Sequence, residues 1–364
     1  MSNNLALNIE EIKRQKDGLD VLGDIYIHAV LGEKIPSEDL HRLQWYGIYA
    51  SDENQNSFEL KIPLNMGELS LKQLKVLTKI SQEFANNSLT FSNEQKVELK
   101  DIKIYNFPKI FNLLKEVDLT TFFEAGHTVR RVITCPLNGI DNEQLIDVSS
   151  FVEQLDNTFI GNKKYSNMPN KLQFSISGYE QGCELSFTPD VSFNASTDSK
   201  NKIIFLIKLC GEDFGYVYPS QLVLTAKAIA KIYRDFGNRE DINNSSFEAF
   251  LEDWGIVKFY DLLNSSLPFN VKNSSQNNNV CFIKKPRMGI HQSAIEGQSY
   301  IGCLLNNHSQ KSETISKFTQ VLEKYNASKI KITHKGNIIV LDAPSQNANE
   351  FALELEKINF NPFV

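Results

Sequence analysis

One order of elements occurs twice in this 364-residue chain, and it restricts the fold more than any other feature. In the first copy, residues 58–64 read as a strand, and Ser70 stands as the N-cap of a helix that turns Leu71, Leu74, Leu77 and Ile80 inward. A strand pair over 89–102 and a closing helix over 107–117, with Pro108 in its first turn, complete the unit. The second copy begins with a strand over 300–305 and a helix over 313–325 that buries Ile315, Phe318, Val321 and Leu322. Strands at 329–333 and 337–341, around His334, Lys335 and Gly336, lead to a closing helix at 349–358. Each β-α-β-β-α copy alone leaves a strand edge open to foreign pairing, so two copies that share a sheet unit protect one another.

Between the copies, residues 118 to about 266 form a separate α/β unit with strands at 172–177 and 202–209. Its best helix covers 219–236, where Leu222, Ala226, Ile229 and Ile232 make one stripe. Residues 264–279 are rich in Asn and Ser and read as a linker or mobile loop. The chain is therefore expected to be α+β, long enough for two or three units at roughly 150 residues each.

An apolar fraction of 41% supports a sizeable core, and a net charge of −6 gives no broad basic face for a nucleic-acid backbone. No window approaches the length of a membrane span, and the start shows no leader pattern. Cys135, Cys183, Cys210, Cys281 and Cys303 are odd in number, scattered and without a Cys-x-x-Cys pair, which suits thiols in a reducing, cytoplasmic setting.

Several segments carry a resemblance. Gly126-His-Thr-Val-Arg-Arg-Val-Ile-Thr-Cys-Pro-Leu-Asn-Gly139-Ile-Asp141, Met168-Pro-Asn-Lys171 with Ile176-Ser-Gly178, and Ile232-Tyr-Arg-Asp-Phe-Gly-Asn-Arg239 with Phe250-Leu-Glu-Asp-Trp-Gly-Ile-Val-Lys-Phe259 follow one another in order. Together with Lys16-Asp-Gly-Leu-Asp-Val-Leu22 and Leu43-Gln-Trp-Tyr-Gly-Ile-Tyr49, this collinear set resembles the siroheme-dependent nitrite and sulfite reductases. Closest in style are the ferredoxin-dependent nitrite reductases. The resemblance implies an N-terminal extension (1–54), a ferredoxin-like half domain (55–117), a siroheme-fold repeat (118–270), a linker (271–290) and a second half domain (291–364). A second siroheme-fold repeat should begin where this sequence stops, at Val364.

The family reduces nitrite or sulfite by six electrons at siroheme coupled to a [4Fe-4S] cluster, with a ring of cations around the substrate. By resemblance, Arg130 and Lys171 correspond to two of those cations and are the expected catalytic residues. Lys61, Gln95, Arg131 and Gln173 are the expected cofactor-facing residues. The other two cation positions hold Gln173 and Glu94, and His127 and Asn170 also depart from the pattern. Glu94 places negative charge where an anion should sit. The cluster's Cys-x5-Cys and Cys-x3-Cys pairs have no counterpart, since Ser177 to Cys183 copies the shape of one pair with Tyr179 at its first position. No metal ligands are thus assigned, and a cluster could come only from another chain.

On composition alone, Lys61, Arg130 and Lys171 read as solvated surface charges and Trp45 as a core or interface aromatic; the resemblance brings the functional and the surface reading of the three cations level. Three functional readings follow. The chain is a reductase that needs a second subunit carrying the other repeat, with ferredoxin as a possible donor, or a non-catalytic relative used as a scaffold or binding module, or a tetrapyrrole-modifying enzyme of similar fold.

Overall fold

A computed structural model describes residues 8–180, 185–273 and 287–363. It contains three five-stranded sheets. In the first, the strands run in the order Ile48–Ala50, Phe58–Pro63, Lys96–Ile102, Ser88–Phe91 and Ser309–Lys311. The second runs Gly289–Gln292, Gln298–Cys303, Ile338–Pro344, Lys329–Ile332 and Glu68–Ser70. Each half domain thus lends one short strand to the other's sheet. Ser309–Lys311 pairs with Ser88–Phe91, and Glu68–Ser70 pairs with Lys329–Ile332, both antiparallel. The mutual edge protection expected from the repeat is achieved by this exchange across two sheets.

The exchanged strand Glu68–Ser70 runs straight into the helix Leu71–Phe84, which starts at a capping box: Ser70 Oγ accepts from Gln73 N at 3.2 Å, and Gln73 Oε1 accepts from Ser70 N at 2.9 Å. Leu74, Leu77 and Ile80 are buried, as the spacing predicts. Its counterpart Ser312–Lys324 buries Ile315, Phe318 and Leu322. The two helices touch where Ser81 Oγ meets Ser312 Oγ at 2.5 Å.

The third sheet runs Glu212–Val217, Ile203–Leu209, Val191–Thr197, Phe174–Ser177 and Ile133–Thr134, with the last two pairings parallel. Pro219–Phe236 packs on it with Leu222, Ala226, Ile229 and Ile232 buried. Sequence periodicity missed Val191–Thr197 because Val191, Ser192 and Phe193 are buried in succession, which erases the alternation of a one-sided strand. It missed Glu212–Val217 because the register shifts between Asp213 and Gly215. The segment 264–279 also needs correction: the helix Ile256–Ser266 runs into it, and Lys272 exchanges backbone hydrogen bonds with Tyr216. Residues 274–286, the middle of the expected linker, lie outside the described residues, and the strand Gly289–Gln292 begins within its last two positions.

The N-terminal stretch is built into the fold. Helices Ile9–Gln15, Leu22–Leu31 and Ser37–Leu43 lead to the strand Ile48–Ala50 at the edge of the first sheet. Trp45 is 1% exposed and donates from Nε1 to Ser166 O at 2.7 Å. Gly126 has φ +71° and lies so close to that indole that a Cβ there would come within 2.4 Å of the ring. Among the described residues, no helix is long and apolar enough to cross a membrane.

A candidate anion-facing cleft

A single backbone bridge assembles most of the site. Val129 pairs in parallel with Leu172, Arg130 N donates to Leu172 O at 2.9 Å, and Leu172 N donates to Thr128 O at 3.0 Å. Arg130 and Arg131 are therefore set beside Lys171 and Gln173. From the first half domain, the turn at residues 92–96 brings in Glu94, Gln95 and Lys96; Gln95 takes φ +59° and Ser92 N donates to Lys96 O at 2.9 Å. The result is a cleft of about 220 Å³ lined by Arg130, Arg131, Lys171, Gln173, Gln95 and Glu94, among others. Lys61 is not on its wall; its ammonium lies 4.8 Å from the centre of the Tyr49 ring.

Most of the positive charge in the cleft is already engaged. Arg130 donates to Ala125 O at 2.9 Å and to Gly126 O at 2.8 Å, and bonds Thr128 Oγ1 as well. Burial pushes its pKa down, against the opposing pull of Glu124, Tyr49 and Glu94. Arg131 contacts Asp156 at 3.3 Å, while its Nε is buried with no partner among the described residues. Lys96 is held between Glu94 and Glu124, each at 2.5 Å. Lys171 is exposed and its ammonium makes no ion pair among the described residues. Gln173 Nε2 donates to Arg131 O at 2.7 Å and Phe174 O at 3.0 Å, and Gln95 Nε2 donates across to Ile332 O at 3.2 Å. These two amides lock the walls in place.

The carboxylates respond to their surroundings differently. Burial raises Glu124, partly offset by Lys96. For Glu94, burial pushes upward but is outweighed by Lys96, Lys61 and Lys171, so the group falls below its ordinary value. Asp190 is raised to about 6 by burial, although the Gln173 N–H, Lys171 and Arg130 pull it down. Between its ordinary 3.8 and about 6 the native state holds a proton that the unfolded chain has lost, so Asp190 makes stability fall as pH rises through that window. Asp156 is raised to about 6 by burial as well, against the pull of Arg131, so carbon-detected NMR of the side-chain carboxyls is expected to show two titrations near pH 6, of which one disappears in Asp190→Asn and the other stays; two that persist in that variant would assign both elsewhere.

Lys96, Glu124 and Asp190 were not singled out from the sequence. Glu124 stands two residues before the Gly126 motif and Lys96 directly follows Gln95, so proximity to those motifs was the available signal. Asp190 precedes the strand that periodicity missed. His127 is structural: Nδ1 lies 3.1 Å from Lys13 Nζ, and burial together with Lys13 pushes its pKa down to about 3, which keeps it neutral at pH 7. Cys135 is buried, as expected of a small apolar side chain, whereas Cys183 and Cys281 lie outside the described residues. Tyr179, in the segment that copies only the shape of a cluster-cysteine pair, is buried and donates to Asp141 Oδ2 at 3.1 Å.

Comparison with known proteins follows this anatomy. Residues 125–271 match the nitrite and sulphite reductase 4Fe-4S domain, and residues 52–117 match the nitrite/sulfite reductase ferredoxin-like half domain. A ferredoxin–nitrite reductase of Leptolyngbya laminosa is 26% identical over 313 residues, which is 81% of this chain and 61% of that protein. A ferredoxin–nitrite reductase of Synechococcus elongatus is 22% identical over 97% of this chain and 72% of its own length. A ferredoxin sulfite reductase of Mycobacterium tuberculosis is 26% identical over 70% of this chain and 51% of its own. The chain thus spans between about half and three quarters of the length of these relatives. In three dimensions, the Mycobacterium tuberculosis NirA protein superposes with a TM-score of 0.88 over 98% of this chain and 70% of that one, at 21% identity, which establishes a shared fold. With both domain types matched in order and the fold in common, the chain belongs to the siroheme nitrite and sulfite reductase family.

Proposed function

We propose that this chain is a module of a nitrite or sulfite reductase whose cleft holds the carboxylate rim of siroheme. The observation that carries this reading is the convergence of Arg130, Arg131, Lys171, Gln173 and Gln95 on one cleft. Siroheme is a polyanion, and among the described residues of the cleft wall the Lys171 ammonium is open to an external anion, while Arg131, whose Nε is buried without a partner, adds its charge from within the wall. These cations fit carboxylates on one side of the macrocycle. Siroheme, when bound, supplies the electron relay for a six-electron reduction. The protein's part is to place cations and hold the walls rigid through the Gln173 and Gln95 amides.

A [4Fe-4S] cluster does not fit the described residues. It wants four thiolates, and no group of three or more His, Cys, Asp or Glu side chains among them could hold a metal ion. Burial raises Cys210 to about 12 and lifts Cys303 as well, which disfavours the thiolate form of both. The four thiolates of a cluster would have to come from residues other than these, and we propose ferredoxin as the electron donor. A second reading, a non-catalytic scaffold, is favoured by the internal engagement of Lys96 and Arg130.

The deciding experiment is an absorption spectrum of the chain purified from cells that make siroheme, alone and with a polypeptide bearing the second repeat. A siroheme Soret band that weakens several-fold in Lys171→Ala and Arg131→Ala supports the reductase reading. A colourless protein under both conditions overturns it in favour of the scaffold.

A further inference from the structure

We propose that the Glu94 carboxylate occupies the anion position of this cleft, as a built-in competitor for nitrite or sulfite, and so sets the affinity of the cleft for small oxyanions. Glu94 and Lys171 line the same cleft, and Lys96 Nζ lies 2.5 Å from Glu94 Oε2. Burial pushes this carboxyl up, but Lys96 first, and then Lys61 and Lys171, outweigh it and favour the charged form. Three ammonium groups thus bear on one O–C–O unit, whose two oxygens and bent shape match the O–N–O of nitrite.

The two carboxylates on Lys96 are not equivalent. The Glu124 side chain is 2% exposed and lies deep in the wall, so it serves as the permanent counter-ion of the buried amine. The Glu94 side chain is 48% exposed, on a hairpin turn, so its carboxylate can turn from Lys96 into water. Lys96, Lys61 and Lys171 with Glu94 and Glu124 sum to one positive charge, and Glu94 takes up the face that an incoming anion would meet. Without Glu94 the same set sums to two positive charges, so the local field attracts an anion more strongly.

This inference rests on the reading that the cleft faces an anion, yet it is tested on the chain alone, without siroheme. The measurement is calorimetric titration with sodium nitrite, and separately sulfite, at low ionic strength, on wild type, Glu94→Gln, Glu94→Ala and the Glu94→Ala/Lys171→Ala double variant. Circular dichroism confirms that each is folded, and the volume-preserving Gln variant guards against a packing defect at the turn. Nitrite is expected to bind both single variants at least about tenfold more tightly than wild type, the factor carried by one interaction of about 1.4 kcal/mol. The gain should vanish in the double variant. Equal affinity in wild type and both single variants overturns the proposal, as does a gain that survives loss of Lys171. A missing Soret band in the cofactor experiment leaves this result intact, and a failed titration leaves the cofactor reading intact.

Discussion

Lys96→Met is expected to destabilise the protein by about 3–5 kcal/mol at neutral pH, the usual consequence of removing one partner from a buried ion pair. The cost comes from Glu124, whose side chain is 2% exposed and whose carboxylate takes its charge compensation chiefly from Lys96. Glu94 loses the same partner but can turn to water. The effect carries a pH signature. Burial already raises the Glu124 pKa above its ordinary 4.5, and loss of Lys96 raises it further. In the window between those values the native state holds a proton that the unfolded chain does not. Stability of the variant therefore falls as pH rises through the native pKa and recovers as pH is lowered towards 4.5. Denaturant melts at a series of pH values would show this, and Lys96→Met/Glu124→Gln should regain most of the loss at neutral pH. A single variant as stable as wild type at pH 7 would mean that Glu124 finds another counter-charge.

Trp45→Ala is expected to cost a similar amount, about 3–5 kcal/mol, through the cavity left by a fully buried aromatic. Trp45 sits between Gly18 of the N-terminal stretch and Gly126 of the cleft loop, where both backbones approach closer than any Cβ would allow. Its Nε1 satisfies Ser166 O. Trp45→Phe keeps most of the apolar volume and loses that hydrogen bond, so a smaller loss of roughly 1 kcal/mol separates packing from bonding. Because Arg130 hangs from the carbonyls of Ala125 and Gly126, the alanine variant should also loosen the cleft. Hydrogen exchange at residues 123–130 would report it: unchanged protection there would show that the loop does not depend on the indole.

The repeated order of elements was legible because each helix carries a stripe and a cap that the sequence displays, as at Ser70, Gln73, Leu74, Leu77 and Ile80. The exchange of strands was not, because Glu68–Ser70 and Ser309–Lys311 are three residues each, too short for periodicity, and each pairs with the other half domain. The cleft divides in the same way. Arg130, Lys171, Gln173 and Gln95 could be named from motifs that lie in order along the chain.

What those residues do was decided in space. Residue identity and local pattern determine which helices and strands form and which side chains are charged, since those depend on neighbours within a few positions. Whether a charge is free depends on partners far away in sequence. Lys96 meets Glu124 across 28 positions, and Gln95 reaches the Ile332 carbonyl in the other half domain. Only the folded arrangement reveals that Arg130 is engaged by its own loop and that Lys171 is left open, because Coulomb and hydrogen-bond energies follow distance and burial, which sequence separation does not measure.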